Sequence, residues 1–364
     1  MARPSTTESP ALPKYIPQLD GLRALAIIGV MLFHQHVLGS NLGWAGVQLF
    51  FVLSGFLITG ILLDTKNTPH YFRNFYFRRI IRIFPVYYLG LAVVIVIARL
   101  SGWGVEDVWY YVFYIQNHHL ALSSWKVGFP AMFDHTWSLA IEEQFYILWP
   151  LIVYALDVKK LKVATIFLFV FAILSRTILL VSTHNPYLQY MLLPTQVDTL
   201  AAGAFLAIVV REGGDWRKWS VWSAVTMLVS GVCILALVLY TGYDAYWHPT
   251  EWANSGPNLM LISLMAIFFA SLISTSIFSN SVLKSVLELP WLIHIGRISY
   301  GLYLFHYPIF VLFNLMTNET INAEPGTPYH LVEIVLAFGA TYLVALLSWK
   351  WFESPLLKYK DRYR

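Results

Sequence analysis

Two residues that could carry acid–base chemistry lie on one strongly apolar segment near the N-terminus. Arg23 and His34 fall in the stretch LDGLRALAIIGVMLFH. Their separation is about three helical turns, roughly 16 Å along the axis, so both side chains share one face of a helix. If the segment crosses a membrane, the imidazole lies well inside the apolar layer, where titratable side chains are rare and usually functional. The pair predicts an intramembrane site.

The stretch HTWSLAIEEQFYILWP opens another apolar segment. His135, Ser138 and Glu142 are spaced to share one helical face, about one turn inside the outer boundary. A carboxylate at that depth needs a partner or water, so Glu142 predicts either an interfacial ion pair with an arginine or a general acid or base that orients a histidine. Glu143 is expected to be solvated.

A third stretch, ISYGLYLFHYPIF, places Ser299, Tyr303 and His306 on one face, and Pro308 is expected to kink the helix just beyond. A core histidine bonded to a backbone carbonyl is the simpler interpretation of His306. Together with His34 it becomes a second intramembrane histidine, which favours function. Neither has metal-ligand spacing, so no metal site is predicted.

Charged residues elsewhere in the chain could have structural or functional roles. Arg78, Arg79 and Arg82 cluster on a helix surface in YFRNFYFRRIIRIFP, which fits an anchor to anionic lipid or a phosphate clamp. Asp198 lies deep in PTQVDTLAAGAFLA and requires a partner. Arg176, on the preceding segment, could form a purely structural pair with it.

The composition is that of a membrane protein. Of 364 residues, 58% are hydrophobic and 12% are charged, whereas soluble domains carry about 25% charged residues. A helix needs about 20 apolar residues to cross the hydrocarbon core. The sequence predicts an all-α, polytopic membrane protein with about ten transmembrane helices, at 20–38, 44–63, 84–100, 137–156, 162–181, 190–210, 219–240, 258–278, 298–317 and 330–351.

The placement of positive charge predicts the orientation. With a cytoplasmic N-terminus, 21 of the 24 lysines and arginines fall on the cytoplasmic side, in accordance with the positive-inside rule. An even number of spans then makes both termini cytoplasmic. The chain divides into a short polar tail at 1–13, a single transmembrane domain at 14–357 and a basic tail at 358–364. The outer loop 101–135 is long enough to cover a substrate.

Several of these stretches, in this order, resemble membrane-bound acyltransferase family 3, whose bacterial members acylate cell-surface glycans. The resemblance covers nearly the whole chain, and several motifs in order are far more specific than any one. No esterase-like domain follows the tenth span, so a stand-alone form is expected. The matching stretches are LDGLRALAIIGVMLFH, FFVLSGFLI, FRRIIRIFP, HTWSLAIEEQFYILWP, VDTLAAGAFLA, ISYGLYLFHYPIF and FESPL.

The resemblance implies roles for individual residues. Arg23 and His34 match an arginine–ten residues–histidine motif that is essential in the family. Arg79 and Arg82 match an R-x-x-R motif that engages acyl-coenzyme A, and Arg23 and Arg78 join this predicted donor-binding set. Glu142 matches the acidic residue of one family motif; Ser299 and His306 match a second. Two positions depart from the pattern, Gln196 in place of arginine and Gln48 in place of a frequent acidic residue.

The resulting prediction is a membrane O-acyltransferase, by resemblance an O-acetyltransferase, in the bacterial cytoplasmic (inner) membrane. It would move an acyl group from cytoplasmic acyl-coenzyme A, by resemblance acetyl-coenzyme A, to a hydroxyl of a glycan or glycoconjugate on the outer side. The expected partners are the lipid bilayer and that acceptor, with no nucleic acid and no metal.

His34 is predicted to act as the general base, or as a covalent acyl carrier. Glu142 or His135 is predicted to orient its ring, and His306 is a further catalytic candidate. Oxyanion stabilisation or substrate contact is assigned to Ser299, Tyr303, Trp137 and Ser138.

Two other functions fit the same composition. A proton-coupled transporter would also use intramembrane histidines and carboxylates, and a non-catalytic scaffold would tolerate their neutral replacement. Release of free thiol from acyl-coenzyme A distinguishes an enzyme from both.

Overall fold

The computed structural model describes residues 13, 15–37, 39–125, 131–183, 185–242, 259–279, 282–320 and 327–359. Most of the predicted terminal tails and of the loops 242–257 and 318–328 lies outside these residues. The described part contains no strand and has ten helices of 18 residues or more. They are α1 (Pro17–His34), α2 (Ala45–Thr65), α3 (Tyr71–Leu100), α4 (Trp137–Ala155), α5 (Val158–Ser182), α6 (Leu193–Glu212), α7 (Trp216–Thr241), α8 (Leu259–Phe278), α9 (Ser299–Thr320) and α10 (Pro328–Ser348).

The helices show a multi-pass membrane protein. Seven in the described ranges are long and apolar enough to cross a bilayer, and the pair Pro290–Arg297 and Ser299–Met316, bent by 69°, would be an eighth. Length and composition thus identify seven or eight of the ten predicted crossings. Helices α1 and α4 are not among them, because they carry the polar residues of the candidate site. On α5 and α7, side chains such as Phe167 and Leu228 are more than 60% exposed, as expected of lipid-facing surfaces.

Helices α3 and α9 each contain a proline. The arginine stretch and the third predicted span form one continuous helix, because α3 runs through Pro85; helices in membranes tolerate proline where neighbours satisfy the freed backbone groups. Pro308, where a kink is predicted, lies within α9. The 69° bend lies at Ile298, between the helix Pro290–Arg297 and α9.

Close packing of α2 against α6 fixes the position of the second span. A Cβ atom at Gly55 would overlap the backbone of Leu200, and one at Gly203 would overlap the backbone of Val52. Only glycine at both positions allows the two backbones to approach this closely. Helix α2 also contacts α4, where the Trp149 indole N–H donates to the Thr59 hydroxyl at 2.8 Å.

A buried ion pair ties α5 to α6. Arg176 Nη2 lies 2.7 Å from Asp198 Oδ2, and both side chains are almost completely buried. The Ser263 hydroxyl accepts from Arg176 and donates to Asp198, at 2.6 Å in each case, and the Thr195 carbonyl also accepts from the guanidinium. The suggested pairing is therefore present, and it lies away from both cavities described next.

Candidate active site

Two cavities meet inside the helical bundle. The larger, about 660 Å³, is the arginine cavity, and the smaller, about 350 Å³, is the histidine cavity. Val47 and Tyr303 belong to the walls of both. The arginine cavity is lined by Arg23, Arg79, Arg82, Ser138, Glu142, Glu143, Arg297 and Ser299 among others. The histidine cavity is lined by His34, His36, His135 and mainly aromatic side chains, including Trp137 and Tyr307.

A chain of hydrogen bonds determines the tautomer of His34. His306 Nδ1 lies 2.7 Å from the Tyr303 carbonyl oxygen and His34 Nδ1 lies 3.0 Å from His306 Nε2. A carbonyl can only accept, so Nδ1 of His306 carries hydrogen and its Nε2, in the neutral ring, accepts. His34 must then donate from Nδ1. Its Nε2 retains a lone pair, and the ring borders the histidine cavity.

His135 lies beside this pair without joining the chain. It belongs to the 3₁₀ turn Ala131–Thr136, and its Nε2 lies 3.0 Å from the Tyr303 carbonyl. Its Nδ1 has no hydrogen-bond partner among the described residues. We expected His135 or Glu142 to orient His34, and that expectation is wrong, because His306 makes the contact.

Tyr303 separates the two cavities. Its hydroxyl donates to the His135 carbonyl at 2.8 Å and lies 2.5 Å from Ser138 Oγ. Its carbonyl accepts from two imidazoles, as described above. The hydroxyl and the carbonyl of Tyr303 are therefore both bonded to His135, in the segment that leads into α4. These bonds hold the Tyr303 ring at the junction of the two cavities.

The guanidinium groups in the wall of the arginine cavity differ in whether they are paired with a carboxylate. Arg23 is paired with Asp20 at 2.8 Å, and Arg297 lies 4.0 Å from the same carboxylate. Arg79 lies over the Tyr146 ring, with Cζ 4.6 Å from the centroid. Within the described residues, neither Arg79 nor Arg82 forms a salt bridge, and Arg82 is exposed to the cavity. Two guanidiniums are thus available for an incoming anion.

Arg78 and Arg297 differ from the sequence prediction. Arg78, grouped with its neighbours by spacing, is not in the wall of the arginine cavity, whereas Arg297 is. Helical periodicity explains the first, because Arg78 points about 100° away from Arg79. The second was missed although it directly precedes the ISYGLYLFH stretch; the chain bend at Ile298 carries it to the cavity.

Glu142 belongs to the arginine cavity rather than to the histidines. Its Oε1 accepts from the Ser54 hydroxyl at 2.6 Å, and its Oε2 lies 3.1 Å from the Tyr146 hydroxyl. Because α4 begins at Trp137, Glu142 lies about 7.5 Å deeper along the axis, on the other side of Tyr303. Glu143, expected to be solvated, is instead 9% exposed.

The remaining candidates divide between the two cavities. Trp137 packs against Tyr190, with ring centroids 4.9 Å apart, in the wall of the histidine cavity. Ser138 and Ser299 lie in the arginine cavity, so Ser299 is not beside His34. Among the described residues, no group of three or more His, Cys, Asp or Glu side chains could hold a metal ion.

Comparison with known proteins matches this arrangement to a family. The family described as "Acyltransferase domain" matches residues 16–349. The chain is 31% identical to the peptidoglycan O-acetyltransferase OatA of Listeria monocytogenes, over 95% of this chain and 56% of that protein. It is 30% identical to the O-acetyltransferase OatA of Staphylococcus aureus, over 95% of this chain and 58% of that protein. The chain thus spans just over half the length of these relatives, and no solved structure matches it. It belongs to acyltransferase family 3, the family that its ordered motifs predict.

Proposed function

We propose that this chain is a membrane O-acetyltransferase that takes an acetyl group from acetyl-coenzyme A and transfers it to a hydroxyl of a cell-envelope glycan. One observation carries the proposal: His34, with a lone pair on Nε2, borders a cavity that shares Tyr303 with a second cavity lined by two guanidiniums free of salt bridges. The two relatives named above, an O-acetyltransferase and a peptidoglycan O-acetyltransferase, support the reaction and make peptidoglycan the first acceptor to test.

The proposed topology has ten crossings and cytoplasmic termini, in the bacterial inner membrane. Helices α1 and α4, of 18 and 19 residues, would be the two crossings that composition alone does not identify. Their polar residues line cavities or pair with one another, so they need not face lipid. The arginine cavity then opens to the cytoplasm, where coenzyme A is found, and the histidine cavity opens to the outer side.

In this scheme the donor occupies the arginine cavity. Arg79 and Arg82 hold its phosphates, since guanidinium groups bind phosphate oxygens with two parallel hydrogen bonds. Glu142 acts indirectly, through the Tyr146 hydroxyl that lies within hydrogen-bonding distance of it and the Tyr146 ring beneath Arg79. The flexible arm of the donor extends toward Tyr303 and brings the thioester to the junction of the cavities.

The acceptor enters the histidine cavity with a hydroxyl directed at His34. Nε2 removes the hydroxyl proton while the oxygen attacks the thioester carbon. The new C–O bond forms, the C–S bond breaks, and the thiolate leaves and recovers the proton held by His34. His306 accepts the Nδ1 hydrogen throughout, so the imidazolium is stabilised. For Tyr303, at the junction, to stabilise the developing oxyanion, its hydroxyl would have to turn from the His135 carbonyl toward that oxygen.

A two-step route uses the same geometry. The lone pair of His34 would attack the thioester itself and carry the acetyl group to the acceptor. A rapid burst of thiol without acceptor, equal to the amount of enzyme, supports this route; its absence supports direct transfer.

The test is thiol release from acetyl-coenzyme A by the purified chain, with soluble peptidoglycan fragments as acceptor and mass spectrometry of the glycan as the second readout. We expect acceptor-dependent thiol release and an acetylated glycan. Thiol release with an unmodified glycan would exclude this acceptor. No release with any short acyl donor and any envelope glycan would contradict the enzyme and favour the transporter.

A further inference from the structure

Glu143 is a buried carboxylate that the proposed reaction leaves unused. It is 9% exposed and lines the arginine cavity. Its neighbour Glu142 accepts from Ser54, yet Glu143 accepts no hydrogen bond and forms no salt bridge with any described residue. An ionised carboxylate in a region of low dielectric constant is unfavourable unless donors surround it. The oxygens of Glu143 therefore have no acceptor contacts within the described residues and are open to hydrogen-bond donors of a molecule in the arginine cavity.

Two of the nearby hydroxyl groups on the protein are already committed. The Tyr300 hydroxyl donates to the Ile83 carbonyl at 2.9 Å, and the Tyr88 hydroxyl donates to the Val112 carbonyl at 2.9 Å. The Tyr114 hydroxyl has no hydrogen-bond partner among the described residues, so it does not bond to Glu143 either. Arg79, the nearby cation, lies over the Tyr146 ring instead. A ligand that enters the arginine cavity can therefore supply donors in place of water.

We infer that Glu143 binds the amide N–H groups of the pantetheine arm of the acyl donor, an inference that rests on the proposed function. The arm carries two secondary amides and no charge, so it supplies N–H donors without bringing a second anion. The phosphates are repelled by Glu143 and attracted by Arg79 and Arg82. The Glu143 carboxylate thus helps to set the orientation of the acyl donor, because it favours entry into the arginine cavity with the thioester end first.

The experiment compares three probes on the purified full chain by equilibrium binding. Coenzyme A has both phosphates and arm, pantetheine has only the arm, and adenosine 3′,5′-bisphosphate has only phosphates. In Glu143→Leu we expect pantetheine and coenzyme A to bind about tenfold more weakly, as for loss of a hydrogen bond to a charged group, and the bisphosphate to bind no more weakly, because only a repelling charge is removed. Glu143→Gln, which keeps a carbonyl acceptor of similar size, should retain most of the affinity.

Arg82→Ala provides the reciprocal control, with bisphosphate binding lost and pantetheine binding kept. A bisphosphate affinity that does not fall also shows that each Glu143 variant is folded. Equal pantetheine affinity in the wild type and Glu143→Leu would overturn the inference and leave the proposed function standing. No binding of coenzyme A or the bisphosphate to the wild type would overturn the proposed donor site and this inference together.

Discussion

The two cavities are built by different means. In the arginine cavity, charged side chains are held by other side chains: Asp20 holds Arg23, and the Tyr146 ring supports Arg79. In the histidine cavity, rings are held by the backbone, since the Tyr303 carbonyl contacts both His135 and His306. Side-chain networks adjust to a ligand, whereas a carbonyl fixes which nitrogen carries hydrogen. The first arrangement suits the recognition of a charged ligand, and the second suits proton transfer.

The comparison predicts that loss of the base affects turnover far more than donor binding. For His34→Ala we expect acceptor-dependent thiol release to fall by about 10²–10⁴-fold, the usual contribution of general acid–base catalysis, while coenzyme A affinity stays within about twofold. His294→Ala is the control, because His294 lies in the wall of neither cavity. Wild-type turnover in His34→Ala would remove the histidine cavity from the chemistry.

The second prediction concerns which ring nitrogen of His34 carries the hydrogen. In neutral wild-type protein, nitrogen NMR of labelled histidines should show the hydrogen of His34 on Nδ1, as the chain through His306 requires. His306→Leu should abolish that preference and lower turnover by about 10²-fold. His306→Gln, which can still accept, should recover part of it. A hydrogen on Nε2 of wild-type His34 would contradict the proposed base.

The arginine cavity should respond mainly through donor affinity. Arg82→Ala should raise the KM for acetyl-coenzyme A by about 10–100-fold, as charge-assisted hydrogen bonds to phosphate are lost, with a small change in kcat. Arg78→Ala, one helical step outside the cavity wall, should leave KM unchanged. Equal effects in both variants would mean that the cluster acts only as a lipid anchor.

The smallest effect on either cavity is expected from the buried pair of Arg176 and Asp198. Arg176→Met should lower the free energy of unfolding by about 3–5 kcal/mol, because it leaves Asp198 buried without its cation. Thermal denaturation in detergent measures this loss, and turnover per folded molecule should stay unchanged. The double variant Arg176→Met, Asp198→Leu should recover most of the stability. If turnover falls in proportion, the pair is coupled to the site.

The sequence predicts the long helices, because apolar length is a local signal, and most of the candidate residues line one of the two cavities. The suggested pairing of Arg176 with Asp198 is present, and His34, His135 and His306 lie together. The contact between His34 and His306 joins residues 272 positions apart, and no local spacing encodes it. Glu142, one of two residues predicted to orient His34, lies in the arginine cavity instead, because its depth depends on where α4 begins relative to Tyr303.

The thin partition at Tyr303 has an electrical consequence. If water fills both cavities from opposite sides, the membrane voltage falls mainly across that one ring, since potential drops where the dielectric constant is low. Each elementary charge that crosses the full voltage exchanges about 2.3 kcal/mol per 100 mV. In each turnover a proton passes inward to the thiolate while negative charge passes inward from the acceptor oxygen to the sulfur, so the complete transfer moves no net charge and the voltage does not drive it. The voltage would act only on the rate of a step in which one of these charges moves alone, and proteoliposomes with an imposed potassium diffusion potential would reveal a rate that changes with voltage.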